Sequence, residues 1–122
     1  MTLKFDPASI RIGIRVMGLA FKENCPDVRN TRVVDIVSGL ASYNARVDVH
    51  DPCVNPEEAR HEYGITLVRE PEAGDHDAIV LAVAPEQFKA MGAPALRALG
   101  RPRHVLYDLK CALAAGASDL RL

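Results

Sequence analysis

Six consecutive apolar residues, AIVLAV at 78–83, constrain this chain more than any other feature. A run of that kind, with β-branched members and no polar alternation, suits a strand buried on both faces, and such strands belong to parallel sheets covered by helices. Residues 10–19 form a second apolar, β-branched run that stops at Gly18. From Thr31 the period changes: Val33, Ile36, Val37 and Leu40 share one helical face with Val34 and Ala41 beside them, and Asn30 or Thr31 stands where a cap belongs. Asn44 suits the left-handed end of that helix. Arg46 to His50 then alternates polar with apolar as a strand closed by Asp51-Pro52.

In Asn55-Pro56-Glu57-Glu58, a cap residue, a proline at the first helical position and a glutamate three on from the cap predict a short helix to about Tyr63, ended by Gly64. Thr66 to Val68 reads as a brief strand. After Pro85, the pairs Phe88/Met91 and Leu96/Leu99 predict one or two short helices broken near Gly92 and Pro94, and His104 to Leu109 a last strand. The tail from Ala112 is weakly patterned. Strands alternating with helices imply βαβ units with right-handed crossovers. The expected fold is therefore α/β, a Rossmann-like three-layer sandwich with a mainly parallel sheet of about five strands. Residues 9–122 make one domain, and residues 1–8 read as a linker or the remnant of a preceding segment. Ligands of such sheets bind beyond the carboxyl ends of the strands, which directs attention to the loops after Leu19, His50, Val83 and Leu109.

Composition narrows the partners. Fifteen Lys and Arg against sixteen Asp and Glu leave a formal net charge of -1, without the basic footprint that nucleic acid or an anionic membrane requires. Cys25, Cys53 and Cys111 are odd in number, far apart and without a C-x-x-C pair, as reduced thiols of a cytoplasmic protein would be. No stretch approaches the roughly 20 apolar residues of a membrane span. Met1 is followed by Lys4 and Asp6 rather than by a signal-peptide core.

Several motifs fail. The first strand-to-helix loop offers only Gly13 and Gly18 in place of G-x-G-x-x-G, so the standard NAD fingerprint is absent. Those glycines have the spacing of a Walker A loop, but Leu19-Ala20 follows where Lys and Ser or Thr should stand. A phospho-receiver domain would suit Lys110 yet needs an acidic pair where Lys22 stands. There is no G-x-S-x-G elbow, and His50, His61, His76 and His104 lack metal-ligand spacing, so they read as surface or structural residues. Cys25, followed by Pro26 and with no histidine nearby in sequence, reads as structural rather than nucleophilic.

The segment Gly18-Leu19-Ala20-Phe21-Lys22, continuing through Asp27-Val28-Arg29-Asn30-Thr31, survives this sieve. It gathers a lysine, an aspartate and an arginine at a strand's carboxyl end and a helix's start, where backbone N–H groups also favour anions, and a diphosphate would fit there. The competing reading makes Lys22 and Arg29 solvated loop charges, with Asp27 pairing Arg29 and capping the turn.

The same segment, GLAFKENCPDVRNTRVVDIV, resembles the opening of the C-terminal domain of the UDP-glucose/GDP-mannose dehydrogenase family: a strand, then G-x-x-[FY]-K, then D-x-R and a helix. Val49-His50-Asp51-Pro52, Asp77 to Leu81, Phe88 and Tyr107-Asp108-Leu109-Lys110 extend the resemblance over nearly the whole chain. The wording KENCPDVRNTRVVDIV is most similar to the branch that oxidises UDP-N-acetylhexosamines for capsule, Vi-type or O-antigen polysaccharides.

The resemblance implies a parent oxidoreductase that converts a sugar C6 alcohol to a carboxylate in two steps, with two NAD and a cysteine thiohemiacetal. Its other parts would be an N-terminal Rossmann domain that binds NAD and a central helical domain that carries the cysteine and forms a homodimer or larger assembly. This chain, lacking both, would bind UDP-sugar and be inactive alone. Carried over by position, Phe21 and Lys22 would contact the nucleotide sugar, Arg29 would reach toward NAD, and Asp27 would orient the loop. Lys110 stands where the family often shows an arginine, keeping its charge but not its bidentate fork. The alternative is a free-standing nucleotide-binding or regulatory α/β module without catalysis, or an α/β interaction domain with a charged surface.

Overall fold

The structure, a computed structural model, describes residues 12–20, 32–68, 74, 76–83, 86–110, 113–114 and 116–121. Among the described residues eight elements follow in order: β1 (Gly13–Met17), α1 (Val33–Ser42), β2 (Arg46–His50), α2 (Pro56–Tyr63), β3 (His76–Leu81), α3 (Glu86–Arg97), β4 (Gly100–Asp108) and β5 (Leu120–Arg121). The strands pair in the order β2-β1-β3-β4-β5, and every pairing is parallel. The expected Rossmann-like α/β sandwich is therefore present, with four strands of five residues or more and a two-residue strand at one edge.

Strand β1, at the centre with β3, is buried at all five positions. Its alternation divides the core. Ile14 and Val16 pack with Val33, Val34, Val37 and Leu40 of α1 and with Ala59 and Tyr63 of α2. Met17 packs instead with Ile79, Leu81 and Leu106 against Phe88, Met91 and Leu96 of α3. Successive strand side chains point to opposite faces, so one strand nails the two helical layers together.

Local signals explain the element ends. Asn55 Oδ1 accepts the Glu57 N–H at 2.8 Å, Pro56 opens α2, and Gly64 closes it at φ +67°. Asn44, at φ +62°, turns the chain from α1 into β2. At Gly92 (φ +74°, ψ +167°) the backbone leaves helical geometry, so α3 is two short helices joined at a kink, the second opening around Pro94.

Three expectations are revised. Helix α1 starts at Val33 behind Arg32, which makes no side-chain cap, while Asn30 and Thr31 lie outside the described residues. Thr66 to Val68 makes one bridge, Leu67 to Val49, rather than a strand, because the Val68 carbonyl is bonded by His50 Nδ1 at 2.6 Å instead of by a ladder neighbour. The fifth strand comes from the tail, where Leu120 pairs with Tyr107 and Arg121 with Asp108. Arg97 fixes that tail: Nη1 and Nη2 donate to the two Asp119 carboxylate oxygens at 3.0 and 3.2 Å, and Nη2 also donates to the Ala117 carbonyl at 2.9 Å. The hydrogen bonds from Arg97 and then from the Leu106 N–H hold the Asp119 carboxyl below the ordinary aspartate value. Among the described residues no helix is long and apolar enough to cross a membrane.

Candidate functional site

Parallel pairing brings four strand exits to one rim. Met17 of β1 lies beside His50 of β2 and Leu81 of β3, and Leu81 beside Asp108 of β4. The chain leaves β1 through Gly18 at φ +100°, where an added Cβ would stand 2.6 Å from the Val83 carbonyl oxygen and 2.7 Å from its Cβ. Only glycine fits so close an approach in that conformation. Ala82 and Val83 donate to the Met17 carbonyl at 2.9 and 3.3 Å, which ties the exit of β1 to that of β3.

Asp51 ties it to β2. The residue is 4% exposed, and its Oδ2 accepts the N–H groups of Leu19 at 2.8 Å and Ala20 at 3.0 Å, while Oδ1 accepts that of Cys53 at 2.9 Å. Gly18 donates to the His50 carbonyl at 2.7 Å. Proline at 52 suits the tight Asx turn between Asp51 and Cys53. A buried carboxylate is expensive unless hydrogen bonds satisfy it, and three backbone donors do so here.

Asp108 repeats the device at the exit of β4. It is fully buried, with Oδ1 accepting the Lys110 N–H at 3.1 Å and Oδ2 the Leu113 N–H at 2.9 Å. Leu109 donates to the Leu81 carbonyl at 3.1 Å. The turn thus held carries Lys110, whose side chain is exposed at the rim.

Of the predicted site residues, the structure places Lys110 at this rim, and Phe21, Lys22, Asp27 and Arg29 lie outside the described residues. Sequence reasoning missed the carboxylates of Asp51 and Asp108 as braces. Their signal was an aspartate at the end of an apolar strand with a turn two residues long behind it, a pattern that also caps ordinary loops.

Nearby groups offer less. Cys53 is a free, half-buried thiol 3.7 Å from Gln87 Oε1, and Cys25 and Cys111 lie outside the described residues. His50 packs its ring 5.8 Å from that of Phe88, and the buried His76 holds Asp48 Oδ2 at 2.8 Å through Nε2. Among the described residues no three His, Cys, Asp or Glu side chains gather to hold a metal.

Residues 15–115 match the UDP-glucose/GDP-mannose dehydrogenase family, UDP binding domain. The chain is 61% identical over 109 residues to a UDP-N-acetyl-D-glucosamine 6-dehydrogenase of Pseudomonas aeruginosa and 50% identical over 109 residues to one of Salmonella typhi. Both alignments cover 89% of this chain and 26% of the relative, so the chain spans about a quarter of the length of these proteins. The solved UDP-D-ManNAc dehydrogenase from Pyrococcus horikoshii has the same fold, with TM-score 0.70 at 20% identity over 90% of this chain and 24% of the other.

Proposed function

The chain belongs to the UDP-glucose/GDP-mannose dehydrogenase family as its UDP-binding domain, and on that premise we propose that it is the nucleotide-sugar-binding C-terminal part of an NAD-dependent UDP-sugar 6-dehydrogenase. The sugar we infer is a UDP-N-acetylhexosamine, oxidised in the cytoplasm to a uronic acid for surface polysaccharide. Relatives at 61% and 50% identity that are named for UDP-N-acetyl-D-glucosamine support this choice over glucose.

The observation that carries the reading is the rim itself. The family match over residues 15–115 takes in Gly18, Asp51, Asp108 and Lys110, the residues that shape the strand exits and the cation beside them. In this reading Phe21 packs on the nucleotide and Lys22 holds its diphosphate, an ammonium meeting phosphate oxygens in a charge-assisted contact. Asp27 orients the loop and Arg29 reaches toward the cofactor. Lys110 adds positive charge from the β4 side without the two-pronged grip of an arginine.

NAD would be held mainly by an N-terminal domain, joined through a central helical domain that makes the parent a homodimer or larger. The described β1 turn does not suit the pyrophosphate of NAD, since the Leu19 and Ala20 donors are already bonded to Asp51. The work assigned to this chain is positional: binding energy at the UDP holds the sugar where the other domains act. Alone it binds and does not turn over.

Saturation-transfer NMR of this chain with UDP, a UDP-N-acetylhexosamine and NAD tests the reading. Transfer to uridine protons, lost in Lys22→Ala, is expected; transfer to NAD alone, or uridine transfer unchanged in the variant, would sink the assignment of Lys22.

A further inference from the structure

A dinucleotide-binding turn after the first strand of such a sheet aims its free backbone N–H groups at a pyrophosphate, and the helix starts directly behind it. The first of these conditions does not hold here. Gly18 donates to the His50 carbonyl, and Leu19 and Ala20 both donate to Asp51 Oδ2, so three successive donors are spoken for. Among the described residues the next helix, α1, begins at Val33, and its first turn carries Asp35.

The anion that such a turn would recruit from a ligand is instead built into the protein. Asp51 lies at the exit of the neighbouring strand, is 4% exposed, and accepts the Cys53 N–H on its other oxygen. A phosphate brought to the same donors would meet a carboxylate within a few ångströms in a poorly solvated corner, where like charges repel strongly.

We propose that Asp51 is a specificity-determining residue: its buried carboxylate takes the backbone donors with which a turn at this point would hold phosphate, and so closes the β1 turn to the pyrophosphate of NAD. Resting on the function proposed above, the same closure leaves the diphosphate of a UDP-sugar to contacts other than this turn.

The test uses the 122-residue chain, 15N-labelled, titrated separately with inorganic pyrophosphate and UDP while the Leu19 and Ala20 amide resonances are followed. In the wild type those two amides should stay silent to pyrophosphate. In Asp51→Ala, and more weakly in the near-isosteric Asp51→Asn, they should shift saturably, with affinity for pyrophosphate raised at least about tenfold. Saturable shifts of these amides in the wild type, or silence in a variant that keeps a dispersed spectrum, would overturn the proposal. Should both variants lose their dispersion, the wild-type titration decides alone. If UDP shifts no residue of the chain while pyrophosphate behaves as stated, the UDP-binding reading fails and the role of Asp51 stands.

Discussion

Asp51 Oδ2 accepts the Leu19 N–H at 2.8 Å, joining positions 32 residues apart and fastening the exit of β1 to that of β2. The bond lies at a buried corner with a second one, from Ala20 at 3.0 Å, on the same oxygen. Asp51→Asn keeps the shape but puts an amide donor where an acceptor is required, leaving a buried N–H facing another. The expected loss is about 2–3 kcal/mol of unfolding free energy, read from urea denaturation. A loss within error of zero would mean that the turn keeps its geometry without the carboxylate.

Gly18 is the second fastening, and it acts by absence. Gly18→Ala places a methyl group 2.6 Å from the Val83 carbonyl oxygen on a backbone at φ +100°. Neither the backbone atoms of Val83 nor that dihedral yields cheaply, so the variant should lose about 2–4 kcal/mol. Gly64→Ala, whose added Cβ meets nothing within 4 Å at φ +67°, is the control that isolates the dihedral cost. Equal losses for both variants would remove the contact with Val83 as the cause.

At the β4 exit, backbone and side chain have separable roles. Asp108 holds the Lys110 N–H, whereas the Lys110 side chain points to solvent. Lys110→Ala should therefore leave stability within about 0.5 kcal/mol of wild type while weakening UDP-sugar binding by less than Lys22→Ala does. Asp108→Ala, which takes this acceptor from the part-buried Lys110 and Leu113 N–H groups, should cost about 1–3 kcal/mol. Calorimetric titration beside thermal unfolding separates these effects. Unchanged affinity in Lys110→Ala would remove that residue from the proposed site.

The architecture was largely legible because long-range order here follows from local period. Ala78 to Leu81 of the AIVLAV run lie on β3, which starts earlier at His76 and ends before Ala82-Val83, with Leu81 paired to both Met17 and Asp108, and Asn55-Pro56 and Gly64 bound α2 as their chemistry requires. What escaped depends on contacts that no window of sequence contains. Leu120 and Arg121 are too few to display a period, and they form a strand because Arg97, from α3, holds Asp119 beside Leu106. The Asp51 brace joins positions 32 residues apart, which spacing cannot reveal, whereas Asp108 accepts from Lys110 and Leu113 close by in sequence, a pattern shared with ordinary capped turns. The Asp51 brace reverses one reading of the first loop: at Leu19 and Ala20 the backbone donors are not open to an anion.

The Arg97–Asp119 pair gives the fold a pH signature. Hydrogen bonds from Arg97 and Leu106 hold the Asp119 carboxyl below its ordinary value, so the folded state binds that proton more weakly than the unfolded chain. A depressed carboxyl stabilises fully above the unfolded value of about 3.9, and its contribution fades as pH falls through the lower folded value. Side-chain exposures of 31% for Arg97 and 42% for Asp119 let solvent screen the pair. Arg97→Ala should therefore cost about 1 kcal/mol at pH 7, with a deficit that stays level down to about pH 5 and narrows below about pH 4. Urea denaturation of wild type and variant at pH 7, 5 and about 3 makes the comparison. A deficit unchanged at the lowest pH would show that Arg97 anchors the tail through the Ala117 carbonyl, 2.9 Å from Nη2, rather than through the charge on Asp119.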